Sequence, residues 1–360
     1  MTIPTVSVLT PTFNRAHVLH RAYLSLQRQK MRNFEWVVVD DGSSDDTPAL
    51  LARWQAEADF PIVWCRYSNN RGKAAAVNTG SKVVSGDYVL VLDSDDSLLD
   101  HAMEMVIYWC ERTKIGSNPS IYRLLFRSIY QSGNLVGNLG KKALDRFDNA
   151  MAIIPRDEAV YKLRMTFEFF EVLSREKFQT RKFVELTNSE YCPESVAHDK
   201  LSKRYDSIYI NHPIRLYSTD DGECRISDGM VNAVYFPRGN YLRSLAILNG
   251  DSGFLWQHPS RLLNAARKVT RLGLHLGRSP QLQYRDLTGR GALLLWVSCM
   301  AVGILGYCRD RLRGKTAPIA DRDISKWGPA SPPDNLEIHL APAHFGWQPT
   351  GQRPCNPELF

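Results

Sequence analysis

Tyr88-Val89-Leu90-Val91-Leu92-Asp93-Ser94-Asp95-Asp96 is an apolar run that ends in three carboxylates within four residues. Consecutive apolar side chains without polar alternation suit a strand buried on both faces of a parallel sheet, or a short buried helix, which pattern alone does not separate. Read as a strand, the run delivers its acids to the C-terminal edge of a sheet. Ligands of open α/β sheets bind at that edge, so the cluster points to a divalent cation and whatever the cation holds.

The residues before the cluster repeat the same plan. Val6 to Thr10 reads as a first strand, stopped by Pro11 and followed by the polar turn Thr12-Phe13-Asn14-Arg15. Leu19, Ala22, Tyr23 and Leu26 recur at the spacing of a helix face that packs on a sheet. Phe34 to Val39 is a second buried run, and it too ends in acids, Asp40-Asp41-Gly42-Ser43-Ser44-Asp45. Thr47-Pro48 opens a helix with Thr as its cap, and Leu50, Leu51, Trp54 and Ala58 supply its apolar face. Ile62 to Tyr67 gives a third strand, after which Asn69 to Gly72 turns into a helix start from Lys73 to Asn78 whose small residues admit a close neighbour or a phosphate. This alternation predicts a parallel or mostly parallel sheet with right-handed crossovers. Beyond the cluster, Ala102, Met105, Val106 and Trp109 mark a helix with Asp96 or Ser97 as cap. A hairpin is expected from Ile121 to Val136 around Ser132-Gly133-Asn134, which makes the later sheet antiparallel or mixed.

From 138 to 220 the pattern is less regular, with a helical stretch near 157–164, an apolar run at 167–173, a helix from Glu194 to Tyr205 and short strands at Ile208–Ile210 and Ile214–Tyr217. The character then changes. Residues 261–315 carry eleven Lys/Arg against Asp286 and Asp310 alone, which more than accounts for the chain's formal charge of +7. Positive charge so concentrated is not the footprint of a nucleic-acid-binding fold, and no nucleic-acid partner is expected. Leu262, Ala266, Val269, Gly273 and Leu276 form one helical stripe, with Arg267, Lys268, Arg271, His275 and Arg278 on the other side, a basic amphipathic helix suited to a membrane surface. Gly291 to Cys308 then runs eighteen residues without a charge between Arg290 and Arg309. A span needs roughly twenty, so the segment reads as a short span, an interfacial or re-entrant helix, or a core helix. The Pro-rich segment 316–360 is expected to be loosely ordered. Seven cysteines, widely spaced and free of any C-x-x-C pair, indicate neither a disulfide framework nor a zinc site. With no secretory signal pattern at Met1 to Val8, a cytoplasmic location is expected, peripheral to or anchored at the membrane's cytoplasmic face.

Asp93 to Asp96 by itself is equally good turn chemistry, since Asp and Ser close loops without any ligand. An EF-hand reading places Asp93, Asp95, Ser97 and Glu104 at ligand positions but fails at Leu98, where the loop needs Gly. Neither a G-x-G-x-x-G nor a Walker-type loop occurs. What favours a bound anion held through a cation is the convergence of three strand ends, with Asp95 on the cation and Asp41 free to accept a hydrogen bond from a base N–H.

Four blocks in order, Val6 to Arg15, Phe34 to Thr47, Asn70 to Gly80 and Leu92 to Asp96, resemble the signature of family 2 glycosyltransferases, over about the first 110 residues. The resemblance implies a GT-A (Rossmann-like) α/β fold, a mixed, mostly parallel sheet flanked by helices, here followed by a C-terminal helical, membrane-associated extension. The expected division is a catalytic domain over 1–225, with the nucleotide-sugar half at 1–110 and the acceptor half at 111–225, and an extension over 226–315. It further implies an inverting transfer from a nucleotide-sugar, a UDP-sugar by preference, to a lipid-linked or polysaccharide acceptor, with Mn²⁺ or Mg²⁺ as cofactor. By motif position Thr12 and Asp41 hold base and ribose, Asn14, Arg15, Lys73 and Asn78 line the nucleotide-sugar site, and Asp93 and Asp95 form the Asp-x-Asp pair, with Asp95 the principal metal ligand. Lys73 is equally well read as a solvated helix start.

The acceptor hydroxyl must also lose a proton, which requires a base. Family members often use a Glu-Asp pair near a helix start; Glu190 to Leu201 lacks that pair. Glu194, after Pro193, is the expected base, because the positive end of a helix favours its ionised state, with Asp199 and Glu190 as alternatives. Two other classes stay open: a sugar-nucleotide nucleotidylyltransferase, though no Gly-rich triphosphate loop is present, and a non-catalytic membrane-associated nucleotide-sugar-binding protein.

Overall fold

The structure, a computed structural model, describes residues 5–137, 139–148, 150–165, 169–186, 190–218, 236–315 and 336–340. The chain forms two compact units, one of residues 1–182, 201–221 and 331–360 and the other of 183–200 and 222–330.

The first unit is built on a mixed sheet. Its strands are β1 (Val6–Thr12), β2 (Phe34–Asp40), β3 (Ile62–Tyr67), β4 (Tyr88–Val91), β5 (Ser97–Leu98), β6 (Ile121–Tyr130), β7 (Met151–Ile154), β8 (Phe170–Ser174), β9 (Asp206–Tyr217) and β10 (Leu336–His339). They lie in the order β10-β3-β2-β1-β4-β8-β6-β9-β5, with β7 paired to β9. The first four are mutually parallel, as their alternation with helices predicts, and β1 continues through Pro11, which pairs with Val39, instead of stopping there. From β8 the sheet becomes antiparallel, and β6 and β9 pair parallel with register shifts. Helices α1 (His20–Gln27), α2 (Thr47–Glu57), α3 (Lys73–Val83), α4 (Ala102–Thr113), α5 (Lys141–Leu144) and α6 (Arg175–Thr180) belong to this unit. The core gathers Val6, Val8, Trp36 and Val38 with Leu19, Leu26, Leu51 and Trp54, and Tyr23 stacks on Trp54 with ring centroids 4.5 Å apart.

The hairpin expected after α4 is present at its tip, where Tyr130 N–H donates to Asn134 O at 2.8 Å and Ile129 bridges Leu135. The two short strands expected near 208 and 214 are one strand, β9. Neither Asp96 nor Ser97 caps α4, which begins after His101; Ser97 is in β5 and Asp96 is held by an arginine described below. Part of the segment expected to be loosely ordered is a strand: β10 pairs antiparallel to β3, and His339 stacks on Trp64 with centroids 3.8 Å apart.

The second unit holds α8 (Pro237–Asp251), α9 (Pro259–His275), α10 (Pro280–Asp286) and α11 (Arg290–Leu312); α7 (Ser195–Ser202) runs across the boundary between the units. Leu262, Ala266, Val269 and Leu276 are buried as the stripe predicts, against Tyr241, Leu248, Leu295 and Trp296. Gly303 lets α11 approach α9 closely, since a Cβ there would lie 2.5 Å from Cβ of Thr270. The basic side of α9 is not simply solvated. Arg271 and His275 bind Asp310, His275 at 3.0 Å, and Arg278 binds Asp286 at 2.6 Å, so the only two acids of the basic segment are both consumed by its own cations. Burial of those groups against one another explains the departure, because a buried arginine needs a partner. Residues 183–200 group with these helices rather than with the sheet unit, through Leu186 and Cys192 in the same core. The cysteines at 65, 110, 192, 299 and 308 are free.

Candidate active site

The order β3-β2-β1-β4 reverses direction between β1 and β4, which is the switch point where open sheets leave a crevice at their C-terminal ends. Thr12, Asp41 and Asp93 follow from or end the strands on either side of that point. Thr12 closes β1 and is buried; its carbonyl accepts from Asp41 N–H at 2.8 Å, while its Oγ1 has no hydrogen-bond partner among the described residues. A buried hydroxyl without a partner at a ligand edge is costly unless a ligand completes it.

Asp40 and Asp41, adjacent on an extended chain, face opposite ways. Asp40 accepts from the backbone and hydroxyl of Ser43 and lies 3.3 Å from Arg66 Nε. Asp41 is not the free acceptor expected from the sequence. Its two oxygens accept from Arg71 N–H and Gly72 N–H, each at 2.7 Å, so it clamps the loop that leads into α3 and retains one lone pair per oxygen for a ligand. Burial pushes its carboxyl up to about 6 even against those two donors. Gly42 makes the clamp possible: it sits at φ +79°, and a Cβ there would lie 2.7 Å from the Asn69 carbonyl carbon.

Asn14 also occupies the left-handed region, at φ +52°. Its N–H donates to Ser43 Oγ and its Oδ1 accepts from Ser44 N–H, both at 2.8 Å, which ties the β1 and β2 loops together. Arg15 N–H donates to Thr47 Oγ1 at 3.3 Å. Asn78 lies within α3, where its carbonyl accepts from Ser81 Oγ.

After β4 the chain turns back, Asp96 N–H donating to Asp93 O at 3.1 Å, so the acidic cluster is a turn as well as a candidate site. Lys73, at the start of α3, is not merely solvated: its Nζ is 2.7 Å from Asp93 Oδ1. Burial alone would raise Asp93, but the Lys73 ammonium, with Arg215 and Arg15 adding, holds its carboxyl below the ordinary value. Asp95 is raised by burial and then by the charge of Asp93. Asp96 is pushed up to about 7 by burial, against the pull of Arg215. Arg215 on β9 reaches Asp96 Oδ2 at 3.2 Å and donates to Ser128 Oγ at 3.0 Å, and Ser218 N–H donates to the other Asp96 oxygen. Sequence reading passed over this buried pair, 119 residues apart; the one available signal was a charged residue inside an apolar strand.

Among the described residues no group of three or more His, Cys, Asp or Glu converges on a metal position. Asp93 and Asp95 alone still suit a hard cation of the magnesium kind, which takes one or two protein carboxylates and completes its shell with phosphate oxygens and water. The mutual repulsion that raises Asp95 is what such a cation relieves.

In the second unit Glu194 stands just before α7, and its carbonyl accepts from Ala197 and His198 N–H. Glu190 is committed to Arg238, accepting its N–H at 2.8 Å and pairing with its guanidinium. The side chain of Asp199 lies outside the described residues.

A mixed sheet with helices on its flanks and acids at the β1/β4 switch point defines a GT-A type α/β protein, and the chain shares that fold with a crystal structure of S. aureus TarS 1-349 in complex with UDP-GlcNAc (TM-score 0.57, 19% identity, 88% of this chain and 95% of that one). Residues 7–131 match the model for glycosyl transferase family 2. It is 30% identical over 218 residues to the GalNAc(5)-diNAcBac-PP-undecaprenol beta-1,3-glucosyltransferase of Campylobacter jejuni, covering 60% of this chain and 65% of that protein. It is 33% identical over 136 residues to an Escherichia coli chondroitin synthase, covering 38% of this chain and 19% of the other. The chain thus spans less than two thirds of the length of these relatives.

Proposed function

We propose that this chain is an inverting glycosyltransferase that moves one sugar from a nucleotide-sugar, a UDP-sugar by preference, to a hydroxyl of a lipid-linked or polysaccharide acceptor in cell-surface glycan synthesis. The observation that carries the reading is the arrangement at the switch point: Asp93 paired to Lys73, Asp95 raised beside it, and Asp41 clamped by two backbone N–H groups. The relative from Campylobacter is named for a lipid-linked substrate, and the TarS structure holds UDP-GlcNAc, which supports the substrate classes.

In this reading Asp41 accepts a base N–H through its remaining lone pairs, and Thr12 Oγ1 gains from the nucleoside the partner it lacks. Asp95, with Asp93, holds Mn²⁺ or Mg²⁺. When bound, that cation supplies Lewis-acid stabilisation to the departing diphosphate. Lys73 keeps Asp93 ionised and oriented. Glu194 takes the proton of the acceptor hydroxyl, the role its place at a helix start suits. The second unit, with its net positive helices, works at the cytoplasmic face of a membrane.

The test is release of nucleoside diphosphate from a panel of UDP-, GDP- and dTDP-sugars by the purified chain, with and without Mn²⁺. Metal-dependent release from one donor supports the proposal. Pyrophosphate release from a nucleoside triphosphate and a sugar 1-phosphate, supplied in a parallel assay, with no diphosphate release from the donors, would make the chain a nucleotidylyltransferase, and donor binding without release in the presence of an acceptor extract would make it a binding protein.

A further inference from the structure

α11 is the one helix among the described residues long and apolar enough to cross a membrane. One of its sides is already used, because Ala292, Leu295, Trp296, Cys299 and Gly303 are buried within the second unit. The other side is apolar and open. Leu294, Val297, Ala301, Leu305, Cys308 and Leu312 recur at spacings of three and four residues and are all exposed, Leu294 at 70%, Leu305 at 68% and Leu312 at 89%. The stripe runs about 27 Å along the helix at 1.5 Å per residue. Trp256, 90% exposed, follows the 3-10 turn Ser252–Phe254, whose Ser252 side chain lies against Gly291 at the start of the same helix.

We infer that the second unit docks on an anionic bilayer with α11 lying in the plane of the headgroups, its Leu294 to Leu312 stripe in the acyl boundary, and does not span. This rests on the membrane part of the reading above and not on the transfer chemistry. Two observations select the geometry and the occupant. A spanning helix would carry into hydrocarbon the side that is fastened to α9, where Gly303 lies against Thr270 and the Arg267 carbonyl and Gly306 against Arg271, and with it that basic helix, whereas a helix lying flat buries only the open stripe. The cations beside the stripe, Arg309, Arg311, Arg313 and Lys315, are exposed, and the segment's two acids are spent on Arg271, His275 and Arg278. A second copy of this chain would bring the same positive field against itself, while anionic headgroups attract it.

The experiment is co-flotation of the full chain with vesicles of phosphatidylcholine alone or mixed with phosphatidylglycerol, alongside alkaline carbonate extraction of membranes from expressing cells. The expected result is binding to the anionic vesicles only, release by carbonate, and a loss of at least about tenfold in partitioning for Leu294→Glu combined with Leu305→Glu, as removal of two buried leucines from the acyl boundary requires. Both positions are exposed, so the variant folds, which its unchanged thermal melt verifies. A second variant, Arg309→Gln with Arg311→Gln and Arg313→Gln, loses the preference for anionic vesicles. Equal partitioning of the leucine variant and the wild type overturns the inference. So does carbonate-resistant retention, which would mean a span, or a lipid-independent dimer that the leucine variant dissolves, which would mean a protein partner. Donor hydrolysis in solution is the separate readout: its presence without vesicle binding rejects docking alone, and its absence with docking rejects the chemistry alone.

Discussion

Asp41→Asn separates the stability of the site from its use. The Asp41 carboxyl is raised from an ordinary 3.8 to about 6, burial outweighing the two backbone donors that hold it. Between those two values the folded chain keeps a proton that the unfolded chain has released, so this group's contribution to stability falls as pH rises through that window. Above about pH 7 the ionised carboxylate leaves the fold about 3 kcal/mol less stable than a neutral group of the same shape would. Asn is neutral at every pH, although its amide nitrogen replaces one of the two acceptors and faces a backbone N–H, a cost of about 1–3 kcal/mol that does not change with pH. Relative to wild type, the ligand-free variant is expected to be about 3 kcal/mol better off near pH 7.5 than near pH 2.5, where wild-type Asp41 is protonated in both states. Urea denaturation followed across that range, with m-values compared to confirm the same unfolding, reads the difference directly. The same variant is expected to bind nucleotide at least about tenfold more weakly, because one acceptor becomes a donor facing a base N–H. A stability difference between the two proteins that stays flat across that range would show that the Arg71 and Gly72 hydrogen bonds offset burial, and would refute the account of Asp41 as a buried carboxyl awaiting a ligand.

Asp95→Asn is expected to leave the fold intact and to abolish the Mn²⁺ dependence of donor release, with a residual rate at least about a hundredfold lower; titration calorimetry should show metal binding strengthened by nucleotide in the wild type and not in the variant. Glu194→Gln is expected to bind donor normally and turn over at least about a hundredfold more slowly, the low end for loss of a general base, and near-normal turnover removes it from that role. Arg215→Met breaks a buried pair with Asp96, and a loss of about 3–5 kcal/mol is expected near pH 8, smaller near pH 6 where Asp96 already carries its proton; equilibrium unfolding at the two pH values checks the sign.

The parallel half of the sheet was legible because its strands are largely apolar runs, β2 closed by Asp40-Asp41-Gly42 and β4 followed by Leu92 and Asp93, and because the helices between carry their own stripes. Strand ends that converge by topology also placed Thr12, Asp41 and Asp93 at one edge. What the sequence hid are partnerships made across long separations. Nothing near Asp96 announces Arg215, and nothing in a Pro-rich tail announces pairing with β3. Local pattern likewise shows that Arg271 and Arg278 lie opposite an apolar stripe, but not that Asp310 and Asp286 will meet them. Asp41 illustrates the boundary: its position follows from the strand, its clamp on Arg71 and Gly72 from a loop whose path only the fold determines.

The strand Leu336–His339 has a practical consequence for anyone shortening the chain. β3 lies next to it at the end of the sheet, paired along Trp64 to Tyr67, with Trp64 covered by His339 and Gln55 donating to the carbonyls of His339 and Leu340. A truncation anywhere before residue 336, the natural choice for discarding a tail, strips that cover and presents a flat row of unpaired backbone groups on a Val, Trp and Cys strand. Such edges recruit one another, so the shortened protein is expected to aggregate through β3 while Thr12, Asp41, Asp93 and Asp95 are untouched.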